Sequence, residues 1–145
     1  MNPCPECGAA SGACDELFSA LLALDHSRTE PWGPLHGVSV SCYFLQHPGR
    51  SAASHRAREW ELVHAYLDGG LAAVAWTARR ARSENSHRGP GLTTPAMPAV
   101  RAVPPTVFAV TIEEVAVDGT FPAGGFADRV TAWAAATVRA WRPAA

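Results

Sequence analysis

The sequence predicts a mainly α protein, a small helical bundle preceded by an irregular, cysteine-rich segment suited to a metal ion. Three observations lead there. Apolar residues recur at helical spacing through most of the chain. The first thirteen residues are instead Cys, Pro and Gly punctuation, with Cys4 and Cys7 in a Cys-x-x-Cys-Gly turn. The last segment has the clearest period, with Phe126, Val130, Trp133, Thr137 and Trp141 along one face.

From Asp15 the pattern is helical, with Leu17, Leu21 and Leu24 on one row, Phe18 and Leu22 on the next, and a stop near His26. Asp15 and Glu16 sit where first-turn acids favour the helix dipole. A second helix is expected from Pro34 to His47, ended by Pro48-Gly49. Its β-branched residues keep a strand open as the alternative. A third runs from about Ala52 to Leu67 and stops at Asp68-Gly69-Gly70; residues 71–82 form a fourth. Residues 83–110 are rich in Pro, Gly, Ser and Thr and read as a long loop. Thr111 opens a capping box with Glu114, and the final helix runs from about Ala123 to Arg142. Trp60, Trp76, Trp133 and Trp141 all fit core positions.

The 145 residues suit one domain spanning 1–145: a metal-binding segment at 1–14, helices over 15–82, the loop at 83–110, and a C-terminal helical part at 111–142. Apolar residues are 48% of the chain, too many for disorder. Net charge is −1, which leaves no basic face for a polyanion and argues against nucleic-acid binding. All twelve basic residues are Arg, so a Schiff-base lysine, a P-loop lysine and a Ser–Lys dyad are excluded. The abundant Arg, Ala, Gly and Pro match the codon bias of a GC-rich bacterial genome. No apolar run is long enough for a membrane helix, and the N-terminus lacks the features of a signal peptide. A cytoplasmic address is expected, where four cysteines read as metal ligands or buried thiols rather than disulfides.

The strongest chemical signal is Cys4-Pro5-Glu6-Cys7-Gly8 with Cys14. Such a turn brings two thiolates around one ion, and Cys14 adds a third soft ligand, so zinc is expected ahead of iron. A thioredoxin-type role is weaker, because no helix N-terminus follows Cys7 to lower a thiol pKa. The fourth ligand is open among His36, His64, His47 and Cys42. His36 ranks first: in a helical hairpin bent at Pro48-Gly49, His36 and His64 both stand about 16 Å from the bend and can meet. His64 and Tyr43 are the candidate catalytic groups beside the ion. His47 reads as a helix cap, and His26, His55 and His87 as solvent-facing. Asp25 and Glu30 could include a carboxylate base but read as solvated turn charges. No GxSxG, GxGxxG after a strand, HExxH or P-loop is present.

The run CPECG…CDELFSALLALDH…GPLHGVSVSCYFLQHP, then Val63-His64 and the terminal Phe126, Trp133 and Trp141 helix, resembles a bacterial family known as domain of unknown function 5946. The resemblance covers nearly all of the chain apart from residues 83–110. Members often carry a His-His pair where this chain has His36-Gly37, so only His36 of that pair is present. The resemblance implies that Cys4, Cys7, Cys14, His36, His47 and His64 are the positions that matter. It implies no substrate.

Two functions follow. The first is a metalloenzyme acting on a small molecule at an open zinc; the second is a zinc-stabilised interaction or scaffold domain without chemistry. The first is favoured, because a chain this long scarcely needs a staple. Either way a small-molecule ligand is conceivable, and neither nucleic acid nor a membrane is expected as a partner. Residues 83–105 are expected to lie over the face carrying His36 and His64, with Arg88 and Arg101 meeting an anionic ligand.

Overall fold

The computed structural model describes residues 2–87 and 100–143. Among these, the regular structure is helical: α1 (Cys14–His26), α2 (His36–Gln46), α3 (Arg56–His87), α4 (Ile112–Val115) and α5 (Phe126–Trp141). A single Val117–Thr120 bridge is the nearest thing to a strand among the described residues.

The segment whose β-branched residues left a strand open is the helix α2. Its packing decides the matter. Leu35, Val38, Cys42 and Leu45 recur every three or four residues and are all buried, which only a helix allows. The helix begins at His36, with Pro34 in the turn before it.

The third and fourth expected helices are two halves of α3, joined at Gly70. There the backbone turns to φ 69°, ψ −159°, a region open essentially only to glycine. The expected stop is present: the helix breaks at Gly70, and Arg80 beyond the break pairs with Glu61 before it, so the second segment folds back along the first. Trp76 lies beyond the break and is 55% exposed, whereas Trp60, Trp133 and Trp141 are buried as expected. In the segment after Gly70, Val74 packs against the core while Trp76 faces outward, with the Arg80 guanidinium over its ring. That segment continues to His87, so 83–87 are helical rather than loop; residues 88–99, with Arg88, lie outside the described residues.

The Thr111 capping box is present: the Thr111 side chain accepts from the Glu113 amide, and the Glu114 carboxylate accepts from the Thr111 amide at 2.8 Å. α5 places Phe126, Val130, Trp133 and Trp141 in the core against α2 and α3. It also fastens the end of α2. Trp141 Nε1 donates to the Leu45 carbonyl at 2.7 Å, and Gln46 Nε2 donates to Thr137 Oγ1 at 2.9 Å and to the Val110 carbonyl at 2.8 Å. Late helix carbonyls lack intrahelical partners, so the Trp141 bond meets a need the helix has anyway. The residue after this pinned end is His47.

Candidate metal centre

The N-terminal segment folds as a tight knuckle. The Gly8 amide donates to the Cys4 carbonyl and the Cys4 amide to the Ala9 carbonyl, both at 2.9 Å. Gly8 takes φ 82°, and a Cβ there would stand 3.3 Å from the Thr106 carbonyl oxygen, so glycine is required on two counts. Glu6, the residue before Cys7 in the turn, accepts from the Gly49 amide at 3.0 Å and pairs with Arg50 at 3.4 Å. These contacts hold the knuckle against the turn that follows α2.

Cys14 is the first residue of α1, and His47 is the residue that ends α2. One donor atom from each of Cys4, Cys7, Cys14 and His47 lies within 4.8 Å of all the others, and all four residues are buried. Cys7 Sγ and Cys14 Sγ are 3.6 Å apart, far beyond a disulfide bond. Sulfurs bound at about 2.3 Å to one tetrahedral ion stand about 3.8 Å from each other, and the observed gap fits that edge.

His47 is oriented for the same purpose. Its Nδ1 lies 2.7 Å from the Tyr43 carbonyl, which can only accept, so the ring proton is on Nδ1. Nε2 is left as a lone-pair donor, buried and without a hydrogen-bond partner among the described residues. A ligating imidazole commonly gives its other N–H to a carbonyl in this way. The Tyr43 ring stacks on the imidazole with centroids 4.2 Å apart, and Phe18 stacks on the far side of Tyr43 at 3.8 Å. The Tyr43 hydroxyl donates to Asp15 at 2.6 Å.

The electrostatics of the cluster are those of a cation site. The Cys7 thiol is drawn well below the ordinary thiol range, chiefly by the hydrogen bond from Cys14 and further by His47 and the Ala9 amide, against burial. Cys14 keeps the shared proton and is pushed above the ordinary thiol range, first by that bond and then by burial and the neighbouring sulfurs. Several thiolates cannot coexist here on their own, and a dication removes the conflict. The arrangement is a Cys3His cluster compatible with binding a metal ion.

Three of the four expected ligands are therefore together, and the fourth donor in the cluster is His47 rather than His36. The reason is distance along α2: His36 opens the helix and His47 closes it, about 16 Å away at 1.5 Å per residue. His36 instead meets Asp25, Nδ1 to Oδ2 at 2.9 Å. Asp25, expected to be a solvated turn charge, is buried; burial pushes its carboxyl up, and His36 opposes the shift. Glu30 is exposed as expected.

His64 also lies outside the cluster. It packs edge-on to Trp60, and burial lowers its pKa. Cys42 is a wholly buried thiol whose pKa burial raises, with Thr137 as its hydrogen-bonding neighbour. Tyr43 touches the centre by supplying a carbonyl and a ring to His47. His26 and His55 are exposed, and His87 ends α3. Arg101, expected over the His36 face, sits at the end of α5: its amide donates to the Trp141 carbonyl at 2.9 Å.

Sequence reasoning counted His47 as an alternative ligand but ranked it below His36. The signal that could have raised it is its place beside Pro48-Gly49, the turn at which α2 must come back toward the knuckle.

No helix among the described residues is long and apolar enough to cross a membrane. No curated protein and no solved structure matches the chain. A family model does match, over residues 2–142, and it is described only as a family of unknown function. With nearly its whole length covered, the chain belongs to that family, domain of unknown function 5946.

Proposed function

We propose that this protein binds one zinc ion in a closed Cys4–Cys7–Cys14–His47 site, and that the metal's role is structural. One observation carries the reading: four buried protein donors converge on one point. Structural zinc sites use four protein ligands, whereas catalytic ones keep a position open for water or substrate. With four donors assigned and all four residues buried, an incoming molecule has neither a vacant position nor a path. Three thiolates and an imidazole favour zinc over the oxygen-seeking cations. Zinc joins the irregular first segment to α1 and to the end of α2, reinforcing the Glu6–Gly49, Glu6–Arg50 and Asp15–Tyr43 contacts between the same parts. The interaction or scaffold reading is thus the better supported of the two, and the open-site metalloenzyme has no observation in its favour.

Elemental analysis of the purified protein tests this. We expect about one zinc per chain, lost in Cys7→Ser and His47→Ala and kept in His36→Ala. Folded wild-type protein without metal would overturn the reading.

A further inference from the structure

We propose that the groove between α2 and α3 binds a small hydroxy acid, with His36 accepting the hydroxyl hydrogen and Arg58 holding the carboxylate. The groove encloses about 310 Å³, at the small end of ligand cavities. His36 and Arg58 line it together with Val40, Phe44, Glu59 and Leu62. It is separate from the zinc cluster and does not depend on it.

His36 is built as a hydrogen-bond acceptor. The Asp25 side chain behind it is wholly buried, and its Oδ2 stands 2.9 Å from Nδ1. A carboxylate there fixes the ring proton on Nδ1 and leaves the Nε2 lone pair free. No described group pairs with Nε2, and the His36 side chain is 45% exposed, so a ligand can reach it. A buried acid whose one hydrogen-bonded oxygen faces a half-exposed imidazole is the pattern by which proteins orient a base. Asp25 Oδ1 has no hydrogen-bond partner among the described residues, a cost that a simple tether between α1 and α2 does not require.

The spacing selects the ligand. α2 and α3 run antiparallel across the short connection from His47 to His55, and a Cβ on Gly37 would lie 3.5 Å from Leu62 Cδ1. The His36 end of the groove is therefore level with Leu62. Arg58 is one turn earlier on α3, about 6 Å along the groove. It has no acidic partner among the described residues, whereas Arg50 and Arg80 are both paired. Val40 and Leu62 give the intervening wall an apolar character. Glu59 is the one carboxyl in the lining. Burial raises it to about 7 and Ser51 donates to it, so it opposes an anion little at or below neutrality. A metal ligand is not favoured, because Cys4, Cys7, Cys14 and His47 are the one ligand group among the described residues.

The probe is 4-hydroxybenzoate, whose hydroxyl and carboxylate span about one helical turn. Binding to the intact, metal-loaded chain is measured by calorimetry beside benzoate and phenol. We expect saturable submillimolar binding of 4-hydroxybenzoate. Each single-ended analogue should bind at least about tenfold more weakly, and Arg58→Gln should lose about tenfold for 4-hydroxybenzoate but nothing for phenol. His36→Gln, which still gives Asp25 a donor, should lose the preference over benzoate. Absence of saturation by about 10 mM, or equal affinity in Arg58→Gln and wild type, overturns the proposal. If His36→Gln does not fold, the Arg58 variant and the two analogues decide it.

Discussion

His47 is placed to act as the proposed fourth ligand by what its ring does at the end of α2. Folded back over its own last turn, the imidazole spends Nδ1 on the Tyr43 carbonyl and has only Nε2 to offer. The partner is backbone, so Tyr43→Phe should keep the zinc: it removes the hydroxyl bond to Asp15 and leaves both ring and carbonyl. A competitive chelator titration checks this, and we expect affinity within about tenfold of wild type. His47→Gln, by contrast, should lose several orders of magnitude.

Glu59 provides a second test on the same scale. Its folded pKa, about 7, is raised from 4.5 by burial. A raised acid favours folding fully below its unfolded pKa, and that advantage is lost as pH rises through the folded pKa. Glu59→Gln should therefore stabilise the protein at pH 8 by about 1 kcal/mol, allowing for its partial access to water, and do little at pH 5. Thermal melts of variant and wild type at the two pH values read the difference. An equal shift at both would show that the carboxyl is not perturbed.

At the scale of elements, α1 and α5 were legible because their apolar rows repeat without interruption and each row ends in the core. The three cysteines were legible because a Cys-Pro-Glu-Cys-Gly turn has few other uses. What periodicity could not give was direction across the fold. His36 and His47 lie on one face of α2, and only the packed arrangement of knuckle, α1 and α2 decides which end meets the cysteines. The same blindness placed Trp76 in the core, since its spacing is helical but after the break at Gly70 it is Val74, not Trp76, that packs inward. Asp25 was misjudged because nothing in its neighbours announces that His36 will cover it.

Gly70 is thus an element-scale determinant. An added Cβ would meet nothing within 4 Å, so any effect of Gly70→Ala comes from the backbone alone. We expect a loss of about 1–3 kcal/mol in denaturant unfolding, or a straightened α3 seen as a changed environment of Trp76. An unchanged stability with unchanged Trp76 fluorescence would contradict the break. Trp141→Phe should cost about 2–3 kcal/mol, because it leaves the buried Leu45 carbonyl unpaired where α2 ends.

For the whole molecule, two cohesive systems share the work. The apolar core of α2, α3 and α5 holds the helices; the proposed zinc would tie the first segment and α1 to the end of α2. Chelation should leave most of the helical circular dichroism and abolish amide protection from Cys4 to Cys14, because α5 and α3 make no use of the ion. A complete loss of helix would mean that the core does not stand alone. The most direct measurement is zinc K-edge absorption on the metal-loaded wild type. Three sulfurs at about 2.3 Å and one nitrogen at about 2.0 Å, with no oxygen, are expected of a closed site. A spectrum with an oxygen ligand, or with fewer than three sulfurs, would contradict it.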